Sequence, residues 1–239
     1  MINYLFDVDG TLTPARDLIN KDFKKYFGEW VNEVRQRGNS VFLVTGSDKP
    51  KTVGQVGIDL YRCVNGVYQN GGNQLFIRNH LVKESRWRMS AHLNLDLLMI
   101  AERSKWAGTA DVNIEERTGM VNFSTVGREA TPKQREAYYE WDRAYGERKR
   151  IAERLSLKYP RLEFAVGGKV SIDIFPKGKD KSQILGDMTG ETIFFGDRCF
   201  EGGNDYQIAI KSNKYHQVEN WKDTKFIVNS YYGYKKHGN

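Results

Sequence analysis

The chain has 239 residues, of which 37 are lysine or arginine and 30 are aspartate or glutamate, so its formal net charge is +7 at pH 7. Two cysteines, Cys63 and Cys199, are too few for the disulfide framework of a small secreted domain. We expect a cytoplasmic protein without a membrane span, because the sequence shows neither a signal peptide nor a run of about 18 apolar residues. The basic excess fits an anionic partner, either a small phosphate or a nucleic acid, and it also fits simple solubility.

The first part of the chain alternates short apolar segments with polar loops. Residues 2–6 are apolar and stop at the polar residues 7–14, so they predict a buried strand. Asn20 caps a predicted helix that ends at Gly38, and a second strand, residues 41–44, stops at a polar turn. This order is typical of a parallel α/β sheet that binds ligands beyond the carboxyl ends of its strands.

The middle of the chain has a different pattern. Apolar residues at helical spacing predict two helices, over residues 87–105 and 132–158. Period-two alternation predicts four hairpin strands, over residues 112–116, 120–126, 162–166 and 169–175. Because the parallel pattern resumes at residues 192–195, we interpret this antiparallel α+β unit as an insertion.

The patterns together predict an α/β protein with a discontinuous core. We expect a parallel-sheet core formed by residues 1–79 and 178–239. We expect residues 80–177 to form an inserted α+β domain with a four-stranded antiparallel sheet and two helices.

The segment Asp7-Val8-Asp9-Gly10-Thr11 carries the strongest chemical signal. Its two carboxylates lie two residues apart on a loop that leaves a buried strand, so both can face one site. Mg²⁺ is bound by one or two carboxylates and completes its shell with waters and phosphate oxygens, and Asp197 is a natural third acidic group. One carboxylate of such a group can attack phosphorus while its neighbour carries protons. A D-x-D sequence alone also fits loop capping or solvated acids.

This segment resembles the first motif of the haloacid-dehalogenase-like phosphotransferases, and further motifs follow in order. Thr45 corresponds to the hydroxyl residue that contacts the phosphate in that superfamily, and Lys181 to the lysine that neutralises the nucleophile. The acidic fourth motif corresponds to Gly196-Asp197 with Gly202-Gly203-Asn204-Asp205. The resemblance implies a Rossmann-like core and a metal site that includes Asp197, Asn204 and Asp205.

Nearly the whole chain is similar to the eukaryotic-type α-phosphomannomutases of that superfamily. The similarity is carried by residues 6–16, 46–48, 119–122, 126–128, 167–176 and 195–205. It implies that Asp7 is the nucleophile, that Asp9 is the general acid/base, and that both bind Mg²⁺, Asp9 through its main-chain carbonyl. It implies that a hexose phosphate is bound by Arg16, Thr45, Ser47, Arg117, Arg128, Arg135, Ser171 and Asp173.

The same similarity implies the activity and the partners. The expected reaction is the interconversion of mannose 6-phosphate and mannose 1-phosphate, with hexose 1,6-bisphosphate as activator. The inserted domain would be a cap that closes on the core, and the expected assembly is a homodimer through the cap. Three positions depart from the family pattern and bear on the ratio of transfer to hydrolysis: Thr45 replaces a glycine, Val64 a glutamate and Lys179 a tryptophan.

The residues of the cap agree with ligand binding. Alternation along residues 169–175 places Lys169, Ser171 and Asp173 on one face of the predicted strand and apolar residues on the other. Arginine suits a phosphate that must be held without reacting, because its planar fork binds two oxygens at once and stays charged.

Two other functions stay open from the sequence. A sugar-phosphate phosphatase would use the same carboxylates and release phosphate to water. A non-catalytic anion or nucleic-acid binder would keep the scaffold without turnover, although no RNA-binding motif accompanies the basic residues. The helix side that carries Leu93, Leu97 and Ile100 either supplies apolar dimer surface or is buried inside the cap.

Overall fold

The structure is a computed structural model that describes residues 1–106, 113–127 and 129–231. It divides into two compact units. The core unit comprises Met1–Lys83 and Lys181–Asn239, and the cap unit comprises Glu84–Asp180. The sequence placed the two crossings near residues 79 and 177. None of the helices in the described ranges combines the length and apolar character needed to span a bilayer.

The described residues form the following strands and helices. The strands are β1 (Ile2–Phe6), β2 (Ser40–Val44), β3 (Gly66–Gln69), β4 (Gln74–Ile77), β5 (His80–Glu84), β6 (Ile114–Arg117), β7 (Met120–Phe123), β8 (Leu162–Gly167), β9 (Ser171–Pro176), β10 (Glu191–Gly196) and β11 (Lys214–Gln217). The helices are α1 (Lys21–Gln36), α2 (Lys49–Val56), α3 (Ile58–Cys63), α4 (Ala91–Arg103), α5 (Pro132–Tyr145), α6 (Glu147–Lys158), α7 (Tyr206–Lys211) and α8 (Trp221–Tyr231).

The core unit is built on a seven-stranded sheet in the order β11-β10-β1-β2-β3-β4-β5. Neighbouring strands from β11 to β3 pair in parallel, and β4 returns antiparallel to β3. The predicted parallel α/β core is therefore confirmed. Because β1 and β10 are adjacent and parallel, the loops that follow them leave the same edge of the sheet.

Both faces of the core sheet are covered, which explains why β1 is apolar at every position except Asn3. Tyr4 and Phe6 pack in a cluster with residues of α1, α3 and α8. Leu5, on the opposite face, packs in a second cluster with residues of α7. The side chain of Asn20 accepts hydrogen bonds from the main-chain N–H groups of Asp22 and Phe23, so it caps α1 as predicted.

The four-stranded antiparallel sheet predicted for the cap unit is confirmed, and the structure gives its strand order as β6-β7-β9-β8. The prediction of two cap helices is wrong, because the segment expected to be one helix is two helices, α5 and α6. Gly146 separates them in a left-handed conformation with a φ of 64°. A left-handed residue ends an α-helix, and glycine adopts this conformation at little cost.

Helix α4 is shorter than predicted, and its apolar side is used inside the cap. It begins after Ser90, whose hydroxyl accepts a hydrogen bond from the main-chain N–H of Leu93. Leu93 and Leu97 are fully buried against strands β7 and β9, and Ile100 packs against the same cluster. Of the two alternatives for this side, burial within the cap is therefore the one observed for Leu93 and Leu97.

We predict that Leu97→Ala lowers the free energy of unfolding of the protein by about 2–5 kcal/mol, because it leaves a cavity in the cap core. Leu157 lies on α6 of the same cap unit but is 87% exposed, so Leu157→Ala is the matched control and should change stability little. Urea denaturation followed by tryptophan fluorescence measures both. Equal effects of the two substitutions would contradict this packing of α4.

Candidate active site

The loop after β1 is a compact turn that presents Asp7 at the edge of the sheet. The main-chain N–H of Asp7 donates to the carbonyl of Phe195 on β10 over 2.9 Å, which continues the β1 to β10 pairing. Gly10 closes the turn by donating to the carbonyl of Thr13 over 2.8 Å. Val8 and Leu12 from the same loop are fully buried in the core, so the turn is anchored by packing.

Lys181 lies between two acidic side chains in the interior of the core unit. Its Nζ donates to Asp7 Oδ1 over 2.5 Å and to Asp205 Oδ1 over 2.6 Å. All three side chains are almost completely buried. Lys181 begins a 3₁₀ segment, Lys181–Asp187, and its sequence neighbour Lys179 lies in the cap unit.

Asp197 completes an acidic group with Asp7 and Asp205, and ligand oxygens of the three lie within 4.8 Å of one another. Carboxylate oxygens are the ligands that Mg²⁺ prefers, so this donor set fits the predicted metal. Gly10 has a φ of 84°, and a Cβ added to it would lie 2.4 Å from Asp197 Oδ2. Glycine at position 10 is therefore required both by the turn and by the close approach of Asp197.

The acidic group carries more negative charge than Lys181 can neutralise. Burial raises the pKa of the Asp7 carboxyl well above its usual value, against the lowering effect of Lys181. Burial and the charge of Asp205 raise the pKa of Asp197 to about 6. Burial alone would lower the pKa of Lys181, but the charges of Asp205 and Asp7 raise it above its usual value, so the lysine is charged. A bound cation would therefore stabilise a site with this excess of negative charge.

Asp9 lies outside this acidic group and has its own set of hydrogen-bond donors. Its Oδ1 accepts from the main-chain N–H of Arg16 over 2.7 Å and from Gln55 Nε2 over 2.8 Å. Its Oδ2 accepts from Lys51 Nζ over 2.8 Å and from Ser47 Oγ over 3.3 Å. Burial would raise the pKa of Asp9, but hydrogen bonds from Lys51, Arg16 and Gln55 lower it below the usual value.

The loop after β2 places two predicted phosphate-binding hydroxyls in the core unit. Thr45 and Ser47 are both buried, and Thr45 Oγ1 accepts from the main-chain N–H of Ser47 over 3.1 Å. Thr45 therefore stabilises the loop that carries Ser47, a role that the glycine expected at this position could not fill. The main chain of Arg16 adopts a φ of 62°, which is uncommon for a residue with a side chain.

In the cap unit, the polar face of β9 is as expected. Ser171 and Asp173 are partly exposed, whereas Ile172 and Ile174 are buried, so the predicted alternation is confirmed. Asn122 on β7 donates to Asp173 Oδ1 over 2.6 Å. Sequence reasoning missed Arg148, which is buried and donates to Gly167 O over 3.0 Å, fixing the turn that leads into β9.

The predicted arginines of the cap have different environments. Arg117 pairs with Glu115 Oε2 over 2.5 Å, and Arg135 Nε donates to the carbonyl of Ala130 over 2.9 Å. Arg128 lies outside the described residues. Asn204, a predicted metal ligand, is exposed next to the buried Asp205. The roles of these residues stay predictions.

The sequence analysis also missed Lys51 and Gln55. A signal was present, because the two residues lie four positions apart on a helix that directly follows the Gly46-Ser47-Asp48 loop, so they share one face. Both contact Asp9, and Gln55 Nε2 also donates to Thr13 Oγ1 over 3.2 Å.

The site and the fold together define a class of protein. Asp7 follows the first strand of a parallel α/β core and contacts a buried lysine. Two further acidic residues reach it from the loop after β10. This combination is typical of the haloacid-dehalogenase-like phosphotransferases.

The chain belongs to the eukaryotic phosphomannomutase family, whose model matches residues 27–233. The phosphomannomutase of Saccharomyces cerevisiae is 33% identical over 242 residues, which cover 94% of this chain and 91% of that protein. Phosphomannomutase 1 of Mus musculus is 32% identical over 239 residues, which cover 92% of this chain and 88% of that protein. Among solved structures, a sugar phosphatase of HAD subclass IIB has a TM-score of 0.58 at 14% identity, covering 98% of this chain and 99% of that chain, and so shares the fold.

We predict that Asp197→Asn stabilises the metal-free protein at pH 7.5 by about 1 kcal/mol, an amount reduced for the partly exposed position of the side chain. The pKa of Asp197 is raised to about 6 in the folded protein, from an ordinary value of 3.8. The folded state therefore loses stability as the pH rises from about 4 through 6, and an amide at this position removes that loss.

The melting temperature with and without Mg²⁺ measures this prediction. Mg²⁺ should raise the melting temperature of the wild type and should have little effect on the Asp197→Asn variant. Glu201→Gln, in an exposed position of the same loop, is the matched control and should behave like the wild type. An equal Mg²⁺ response of the wild type and Asp197→Asn would contradict the assignment of Asp197 to the metal site.

Proposed function

We propose that the chain interconverts mannose 6-phosphate and mannose 1-phosphate by phosphoryl transfer through Asp7. The observation that carries the proposal is that Asp7 contacts the buried Lys181 and that ligand oxygens of Asp7, Asp197 and Asp205 lie within 4.8 Å of one another. Membership of the phosphomannomutase family supports the choice of sugar.

In the first half-reaction, a carboxylate oxygen of Asp7 attacks phosphorus of a hexose 1,6-bisphosphate. A phosphorus–oxygen bond to Asp7 forms and the bond to the sugar oxygen breaks, giving an aspartyl phosphate and a hexose monophosphate. Asp9 gives the leaving sugar oxygen a proton that it has taken from the attacking hydroxyl in the preceding half-reaction. In the reverse direction Asp9 takes a proton from the attacking hydroxyl. Lys181 offsets negative charge that accumulates at Asp7.

The residues that would hold Mg²⁺ are Asp7, Asp197 and Asp205, together with Asn204 and the main-chain carbonyl of Asp9 from the family resemblance. When bound, Mg²⁺ would supply positive charge to the phosphate oxygens and to the acidic group. The need for such charge follows from three buried or partly buried carboxylates that lie close together, of which two share the ammonium group of Lys181.

A mutase must keep its bisphosphate while the sugar turns, whereas a phosphatase need not. We propose that Arg117, Arg128 and Arg135 hold the phosphate that is not reacting, and that Arg16, Ser171 and Asp173 complete the contacts to the hexose phosphate. The partly exposed polar face of β9 supports the sugar contacts. A held intermediate reacts with Asp7 again instead of leaving, so transfer outcompetes hydrolysis. Hexose 1,6-bisphosphate would load Asp7 and start the cycle.

We also propose a cytoplasmic homodimer that pairs through the cap. Both cysteines are unpaired, which suits a reducing compartment. With Leu93 and Leu97 buried, apolar dimer surface on α4 would come from the exposed residues Leu95, Leu98 and Met99.

A coupled assay tests the proposed reaction. With Mg²⁺ and catalytic hexose 1,6-bisphosphate, mannose 1-phosphate should yield mannose 6-phosphate with little inorganic phosphate. Asp7→Asn should abolish this turnover, because an amide is a poor nucleophile, while circular dichroism stays unchanged. Inorganic phosphate as the main product would instead support a sugar-phosphate phosphatase. No turnover together with salt-sensitive nucleic-acid binding would support the non-catalytic binder.

A further inference from the structure

Helix α2 directs two side chains at Asp9 from one face. Lys51 and Gln55 lie four residues apart, and each donates to a different oxygen of the Asp9 carboxylate over 2.8 Å. The main-chain N–H of Arg16 and the hydroxyl of Ser47 complete the set, so both oxygens accept two hydrogen bonds. The orientation of the carboxylate is therefore fixed by groups that lie outside the acidic metal group.

Lys51 has a second contact that joins Asp9 to the loop after β2. Its Nζ also donates to Ser47 Oγ over 2.8 Å, and Ser47 Oγ in turn donates to Asp9 Oδ2. Ser47 is itself buried and held through its main-chain N–H by Thr45. The ammonium group of Lys51 thus donates hydrogen bonds both to the Asp9 carboxylate, in the loop after β1, and to the Ser47 hydroxyl, in the loop after β2.

The two aspartates of the first motif, Asp7 and Asp9, each form an ion pair with a different lysine. The lysine of Asp7, Lys181, is buried and shared with Asp205. The lysine of Asp9, Lys51, is 39% exposed and contacts Asp9, which is 29% exposed. The Asp9 carboxylate is therefore partly exposed to solvent on one side, while the donors Lys51 and Gln55 hold its orientation from the other.

We propose that Lys51 is a positioning residue for the phosphoryl transfer: it holds Asp9 where a proton can pass between its carboxyl and the sugar oxygen. The proposal rests on the role of Asp9 given above. Proton transfer requires hydrogen-bond reach between the two oxygens, and a small misplacement of a reacting group lowers the rate strongly. Without Lys51, Oδ2 keeps only the longer hydrogen bond from Ser47 among its contacts in the structure.

The pair is poorly suited to a purely structural role. An ion pair between partly exposed side chains contributes little to stability. Helix α2 is anchored by other residues: Asp48 accepts from the main-chain N–H of Lys51 over 3.0 Å and caps the helix, and Thr52 and Val56 are fully buried. A variant that removes only the ammonium of Lys51 is therefore expected to fold.

The test compares Lys51→Met with Lys51→Arg and with the control Lys49→Met in the coupled mutase assay. Lys49 lies on the same helix but donates to the carbonyl of Asn79 over 3.2 Å, so its variant removes the same charge away from Asp9. We expect Lys51→Met to lower kcat about 10- to 100-fold with KM changed less than about twofold. Lys51→Arg should recover a large part of kcat, and Lys49→Met should match the wild type.

A second substrate separates action through Asp9 from general support of the site. With p-nitrophenyl phosphate the leaving group is a stable phenolate, so phosphorylation of Asp7 needs no proton from Asp9. The nitrophenolate released in the first turnover, measured as a burst at high enzyme concentration, should therefore appear less than about threefold more slowly in Lys51→Met. Equal losses on the two substrates, or near-normal mutase activity in Lys51→Met, would overturn the proposal.

The variant Asp9→Asn distinguishes failure of this inference from failure of the proposed function. Near-normal mutase activity in Asp9→Asn would remove Asp9 from proton transfer, and with it the basis of the inference. If Asp9→Asn loses most of its mutase activity while Lys51→Met stays active, the proposed function stands and only the positioning role of Lys51 is rejected. We expect both single variants to lose activity and the double variant to lose no more than Asp9→Asn, because coupled residues are not additive.

Discussion

The buried ammonium of Lys181 between Asp7 and Asp205 is the interaction on which the site depends. Removing a charge from water is costly unless a partner and hydrogen bonds compensate for it, and here each of the two carboxylates lies within 2.6 Å of the ammonium. A lone lysine cannot balance three carboxylates, so the cluster with Asp197 remains anionic. The same imbalance that disfavours the metal-free fold means that a bound hard cation would stabilise the site.

The architecture of the core explains why these groups meet. Strands β1 and β10 are neighbours and parallel, so the loops that carry Asp7 and Asp197 leave one edge of the sheet although 190 positions separate them in the sequence. Gly10 permits the approach, since a side chain there would collide with the carboxylate of Asp197. Asp9, two residues from Asp7, faces different donors and can therefore perform different chemistry.

The sequence predicted correctly those features of the molecule that depend on local sequence pattern. The apolar strand before Asp7, the cap of α1 at Asn20 and the alternation of Ser171 with Ile172 follow from periodicity and capping. It missed the break at Gly146, because a glycine inside a helical pattern does not reveal its φ. It also missed Lys51, Gln55 and Arg148, because these residues donate to Asp9 or to Gly167, which are distant in the sequence and are brought near by tertiary packing.

The central claim is that Asp7 carries the phosphoryl group during turnover. Acid quenching of the wild type with hexose 1,6-bisphosphate and Mg²⁺, followed by peptide mass spectrometry, tests it directly. The account predicts one added phosphoryl group on the peptide that contains Asp7, lost on treatment with hydroxylamine as expected for an acyl phosphate. Turnover with the phosphoryl group on a different residue would contradict the account.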